Sequence, residues 1–267
     1  MRSLLVSLLL LTPSLSWSLG FSCDDFNVIL CVDFSEGGGT TARDRSKLDL
    51  TANLVGGPLW LTKEAAYSNW GSSTFAVSQT SASYANINGN WVFVTGLPNE
   101  EMETSVTTAM EFNGNKPFMI MFVAKKANLV HQAGSMQWVG WNQGLNNRGF
   151  AFESDANKTP AWVWPGIVAN NYDMRITDTR PHTWGLWRDA GTLRLYFDGR
   201  LITVKTGVPD MNAAAGGSEF TWGKDKTGAT TEFIGGFGRT QVWNAAIEVG
   251  QADGFFKAWH DLYSGNE

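Results

Sequence analysis

A chain of 267 residues that is 43% hydrophobic and 17% charged can bury a real core, which excludes a disordered protein. A net charge of −5 and the absence of any Lys/Arg run exclude nucleic acid and an anionic membrane surface as main partners. With 29 glycines and 13 tryptophans, the composition is that of short strands joined by tight turns rather than a helix bundle.

The chain opens MRSLLVSLLLLTPSLSWSLG. Arg2, an apolar run from Leu4 to Leu11, then Pro13 and small residues are the three parts of a secretory signal peptide. Ser16 and Ser18 meet the small-x-small rule and predict cleavage after Ser18, with Gly20 as second choice. Residues 1–18 are read as the signal, and 19–267 as one secreted, extracellular domain. The apolar run is short for a hydrocarbon core of about 30 Å, so an uncleaved anchor is the lesser alternative. No later segment is apolar enough to insert in a membrane.

Only two cysteines occur, Cys23 and Cys31. An oxidising compartment predicts a disulfide between them, the alternative being two small buried hydrophobes. Bridging needs a turn around Asp24-Asp25, because extended chain would hold them more than ~20 Å apart. His131, His182 and His260 show no zinc-ligand spacing.

Strand-like pieces follow in order. NVILCVDF (27–34) is rich in β-branched residues, and SEGGGTTARDRS reads as a loop. Leu59–Leu61, Phe75–Val77, Trp91–Thr95 and Val106–Phe112 come next. Phe118–Lys125 is almost continuously apolar and predicts a central strand buried on both faces. Met136–Trp141, Gly149–Ser154, WVWP and DMRIT precede the meander HTWGLWRDAGTLRLYFDGRLI, and FTWG and FIGGFGRTQVWN follow it. In QADGFFKAWHDLY, Phe255, Trp259 and Leu262 share one helical face and predict a short terminal helix.

The meander alternates. Trp184, Leu186 and Arg188 lie on one face of its first strand, with Thr183, Gly185 and Trp187 on the other. Leu193, Leu195 and Phe197 oppose Thr192, Arg194 and Tyr196 on the second. Asp198-Gly199 predicts a type I′ turn with positive φ at both residues. Aromatics on both faces mean that the outward set is either covered by another segment or exposed to a ligand.

HTWGLWRDAGTLRLYFDGRLI resembles the strand–turn–strand of the laminin G-like, pentraxin and concanavalin A-like lectin-glucanase superfamily. FIGGFGRTQVWNAAI (233–247) is similar to that family's closing strand. The likeness covers Thr183–Tyr263 well, and the rest by strand rhythm. It implies an all-β antiparallel two-sheet sandwich, a concanavalin A-like jelly roll, with a short C-terminal helix. It also implies binding loops along one rim, and calcium on rim carboxylates and carbonyls as the one candidate cofactor.

Sugar binding needs an aromatic plate flanked by polar groups that read hydroxyls. Trp141, Asn142, Asn146, Arg148, Trp162, Trp164, Asn170 and Asn171 supply that chemistry and are the candidate ligand residues. Core tryptophans and Asn-rich turns are the structural alternative. Asp155, Asn157, Asp173 and Asp178 are the candidate calcium ligands. Asn157 is also the acceptor of the sequon Asn157-Lys158-Thr159, which Pro160 disfavours. Retaining glycosidases need two carboxylates about 5 Å apart. Glu153-Ser154-Asp155 lacks a third acid, Glu100, Glu101 and Glu103 read as a solvated loop, and no catalytic motif is present, so no enzyme is expected.

The sequence therefore predicts a secreted, non-enzymatic lectin-like or adhesion module whose partner is a glycan or a glycosylated protein. A structural or particle-coat protein of the same fold is the first alternative, and a glycoside hydrolase or lyase the second.

Overall fold

The computed structural model describes residues 21–56, 59–61, 91–94, 101–110, 112, 114–126, 136–143, 147–154, 160–164, 167–171, 182–208, 219–223, 231–232 and 235–263. They form two sheets, almost wholly antiparallel, and one helix, the sandwich that the sequence predicts.

The first sheet holds β1 (Val28–Val32), β4 (Leu59–Leu61), β5 (Trp91–Val94), β7 (Phe118–Lys126), β12 (His182–Asp189), β13 (Thr192–Phe197), β14 (Arg200–Lys205) and β17 (Gly235–Trp243). Its order is β14-β13-β12-β7-β17-β5-β4, with β1 also on β17. The second holds β2 (Thr41–Arg43), β3 (Thr51–Val55), β6 (Glu101–Thr104), β8 (Met136–Gln143), β9 (Asn147–Ser154), β10 (Pro160–Trp164), β11 (Ile167–Asn171), β15 (Glu219–Trp222) and β16 (Thr231–Glu232). Its order is β11-β10-β9-β8-β15-β6-β3-β2, and the short β16 pairs β8 in parallel.

The apolar run at Phe118 becomes β7, between β12 and β17. Phe118, Ile120, Phe122 and Ala124 enter the core between the sheets, while Met119, Met121 and Val123 face the other way. The meander divides likewise. Trp184, Leu186, Leu193 and Leu195 are inter-sheet core, and Trp187 and Tyr196 lie on the outer face. What covers that outer face is the terminal helix α1 (Val249–Tyr263). Tyr196 stacks on Phe256 with ring centroids 3.9 Å apart. Gly185 makes the seat: a Cβ there would lie 2.4 Å from the Phe256 ring. The two sheets are joined inside the core by Trp222 Nε1 donating to Thr240 Oγ1 at 2.9 Å.

Turn chemistry follows the sequence. Asp198 (φ 46°) and Gly199 (φ 72°) both take the left-handed conformation that a type I′ hairpin requires. The Cys23–Cys31 disulfide forms, with Cα atoms 5.4 Å apart. The turn it needs is present: Asp25 N donates to Ser22 O at 3.3 Å and Val28 N to Asp25 O at 3.1 Å.

Several expectations are corrected. Val106–Phe112 is not a strand: Thr107 Oγ1 accepts from Ala109 N and starts a single 3-10 turn at Thr108–Met110, which buries Met110. Glu101–Thr104 is not a solvated loop but β6, paired with β3 and β15. The SEGGGTTARDRS loop contains β2. On α1 the buried face is Ala252, Phe255, Phe256 and Trp259, and Leu262 is 52% exposed. The sheet lies one residue round from the predicted stripe, where Phe256 meets Tyr196. The strand readings at Phe75–Val77 and DMRIT lie outside the described residues.

Candidate functional site

An open, largely polar concavity among the described residues lies where β1 and β17 of the first sheet meet β2 of the second. It is an open groove of about 580 Å³ lined by Phe21, Ser22, Cys23, Asp24, Asp33, Arg43, Arg45, Arg239 and Tyr263. Three arginines and two aspartates line it, and Asp49 beside Arg43 adds a third carboxylate, so the charges there balance.

One buried carboxylate builds its arginine wall. Asp44 is 0% exposed and takes four hydrogen bonds: from Cys31 N at 2.7 Å, Ser46 N at 2.8 Å, Ser46 Oγ at 2.7 Å and Leu50 N at 3.1 Å. In the extended segment Arg43-Asp44-Arg45, an inward Asp44 turns both neighbours outward. Arg43 Nε then meets Asp49 Oδ1 at 3.0 Å, and Arg45 Nε meets Asp33 Oδ1 at 3.1 Å. Arg45 also donates to Ser35 Oγ.

The floor comes from β17. Its register shifts between Phe237 and Thr240. The irregularity puts Phe237 in the inter-sheet core and turns Arg239, Gln241 and Trp243 toward the helix side. Arg239 Nη2 donates to Phe21 O at 2.6 Å and reaches Cys23 Sγ at 3.3 Å, and Gln241 Nε2 donates to Phe21 O at 2.9 Å. The disulfide holds this segment on β1, and the Phe21 ring packs edge-on to Phe255 at 5.0 Å and Trp259 at 5.5 Å.

The Arg239 guanidinium lies 4.8 Å from the centre of the Tyr263 ring. Burial presses its pKa down, Tyr263 and Asp33 pull it back, and Arg45 opposes them. Burial pushes the Tyr263 phenol up, against the pull of Arg239. Arg239 Nε is buried without a hydrogen-bond partner, and no carboxylate pairs with Arg239 among the described residues. Such a groove offers guanidinium donors to an anion, and carboxylate and hydroxyl acceptors to hydroxyl groups.

A second polar cluster locks the helix on its opposite flank. His182 Nδ1 is 2.8 Å from Asp198 Oδ2, and Thr183 Oγ1 is 2.9 Å from His260 Nδ1. Two histidines 78 positions apart in the chain thus meet at one turn.

The sequence-predicted ligand residues lie elsewhere. Trp141 and Asn142 are on β8, Arg148 on β9, Trp162 and Trp164 on β10, and Asn170 and Asn171 on β11, four neighbouring strands at one flank of the second sheet. The register sets Asn142 against Arg148 and Trp162 against Asn170. All seven are strand positions. Asn146, Asp155, Asn157, Asp173 and Asp178, and with them the calcium ligands and the sequon, lie outside the described residues. Among the described residues no cluster of three or more His, Cys, Asp or Glu is placed to hold a metal ion. Sequence reasoning missed the groove, although Arg239 and Gln241, two apart in a Gly-rich strand whose one other polar residue is Thr240, were a signal of it.

No family model matches the chain, and the search of curated proteins finds no match. Solved structures do match. The binding domain of botulinum neurotoxin serotype G is similar over 87% of this chain and 51% of its own, with a TM-score of 0.60 and 10% identity. The botulinum neurotoxin DC binding domain, solved with rat synaptotagmin II, is similar over 88% and 51%, with a TM-score of 0.60 and 9% identity. The Trypanosoma rangeli sialidase, solved as a covalent intermediate with 2,3-difluorosialic acid, is similar over 90% of this chain and 34% of its own, with a TM-score of 0.60 and 11% identity. The chain spans about half the length of the toxin domains and about a third of the sialidase. At these identities the likeness is one of fold, a sheet-rich sandwich.

Proposed function

We propose that the chain is a non-enzymatic binding module that acts in an oxidising, extracellular setting and recognises a glycan or a glycosylated protein. The observation that carries the reading is the open groove, whose lining of arginines, aspartates and a tyrosine suits a hydroxyl-rich polar ligand rather than an apolar one. Its fold neighbours include toxin binding domains, one of them solved with a protein partner, and a sialidase solved with a sialic acid derivative. The disulfide supports the compartment. Secretion by way of residues 1–18, and calcium on Asp155, Asn157, Asp173 and Asp178, belong to the same reading. No helix among the described residues is long and apolar enough to cross a membrane.

Glycan-array binding of the full chain, with calcium and with a chelator, tests it. Specific binding is the expected result, and its loss on chelation assigns calcium a role. A blank array under both conditions contradicts the glycan reading.

One observation favours a second reading, a protein-interaction module of the same fold. Edge strand β14 carries Leu201, Ile202 and Val204 at 41%, 37% and 47% exposure, an open apolar edge of the kind that pairs with another chain. Binding to a protein stripped of its glycans would select it.

A further inference from the structure

We propose that the groove between Arg45, Arg239 and Tyr263 takes the single negative charge, carboxylate or sulfate, of an acidic saccharide, with Arg239 as the central donor. The proposal rests on the glycan-binding reading and names the class of sugar.

Arg239 is held in place before any ligand arrives. Its guanidinium is pinned from three sides, by Phe21 O, by the disulfide sulfurs and by the Tyr263 ring, so it is preorganised and loses little freedom when a ligand binds. Those contacts are a carbonyl, two sulfurs and a ring. None carries a full negative charge, and Nε is buried with no partner. A partly buried cation whose direct contacts carry no full charge, with Asp33 acting on it only at longer range, is stabilised by an anion that reaches it. By contrast, Arg43 and Arg45 already hold Asp49 and Asp33. They line the groove wall but need no further partner.

With Arg43 paired to Asp49 and Arg45 to Asp33, Arg239 is the lining arginine that has no ion-pair partner among the described residues. One carboxylate or sulfate ester neutralises it. A phosphate monoester carries about 1.5 to 2 negative charges at neutral pH and overshoots. A polyanion also meets the repulsion of a chain whose net charge is −5.

Ser22 and Asp24 are exposed at the mouth and accept or donate to sugar hydroxyls. At about 580 Å³ the groove falls in the range of small-ligand sites and holds a terminal sugar with part of its neighbour.

The test is calorimetric titration of the full chain with four probes: a glucuronate-terminated disaccharide, a sialylated trisaccharide, a sulfated disaccharide and lactose. At least one acidic probe is expected to bind ~10-fold or more tighter than lactose, and the preference is expected to shrink as salt is raised. Whether the carboxylate or the sulfate arm responds identifies the group. Arg239→Gln is expected to lower acidic-probe affinity ~10-fold or more while leaving lactose unaffected. If that variant does not fold, the Arg43→Gln/Arg45→Gln double variant takes its place, since both side chains are about half exposed or more, at 69% and 47%. It is expected to weaken the acidic probe several-fold. Acidic probes no tighter than lactose, or an acidic preference untouched by the arginine variants, overturn the proposal. Lactose binding without acidic preference overturns it while the glycan-binding reading stands. Failure of all four probes overturns it as well, and the array then decides that reading separately.

Discussion

The two flanks of α1 do opposite things with similar residues. Toward β12 and β13 the helix is seated closely: Phe256 lies over Gly185 and on Tyr196, Tyr196 Oη donates to Asp253 at 3.1 Å, and His260 meets Thr183. Toward β1 and β17 the same helix ends on Tyr263, which has a guanidinium on its ring and an open groove beside it. Both flanks are aromatic and both carry charge. They differ in whether the basic group meets a carboxylate directly inside the fold. His182 meets Asp198, whereas Arg239 meets a carbonyl and two sulfurs. A closed flank reads as stability, and an open one as recognition.

The largest expected effect falls on the scaffold of the open flank. Asp44→Ala removes a buried acceptor of four hydrogen bonds and leaves three backbone N–H groups without it. Denaturant unfolding should show a loss of about 3 kcal/mol or more, and the arginine wall should lose its order. Next comes the disulfide. Cys23→Ser opens a loop with a sequence separation of 8, and chain entropy alone predicts a loss of about 2.5 kcal/mol. That loss should be accompanied by faster proteolysis near Phe21.

The closed flank responds in stability only. Gly185→Ala places a Cβ against the Phe256 ring and should cost about 1–3 kcal/mol in a thermal melt. Tyr196→Phe gives the smallest effect at neutral pH, about 1 kcal/mol, from the lost bond to Asp253. Its signature is in the alkaline limb. Burial, reinforced by Asp253, pushes the Tyr196 phenol well above its ordinary value. Its stabilising contribution is therefore complete below about pH 10, the unfolded value, and fades as pH rises toward the folded one. The variant should lose stability less steeply above pH 10, and a melt series across pH 9–12 reads the difference.

How much of this was legible follows from how each residue signals. β7 and the meander could be read because apolar side chains fill both faces or alternate cleanly. β2 and β3 could not, because each sends only one alanine, Ala42 or Ala52, fully into the core. In β6, Met102 and Thr104 point inward between glutamates, and Pro98-Asn99 nearby looked like punctuation. The helix was legible as a helix. Its exact stripe was not, since the choice between Phe256 and Leu262 depends on where Tyr196 stands. The groove was hardest: its residues come from five separate stretches, and Arg43 and Arg45 look like loop charges until Asp44 is known to be buried.

The most direct test sets one variant from each flank side by side, Arg239→Gln and Gly185→Ala, and measures for each the melting midpoint and the affinity for the tightest acidic saccharide. The account predicts a crossed result. Arg239→Gln keeps most of the thermal stability and loses ~10-fold or more in affinity, while folded Gly185→Ala keeps the affinity and melts several degrees lower. Parallel losses in both variants, or full affinity in Arg239→Gln, would contradict the division of the molecule into a closed flank and a recognising one.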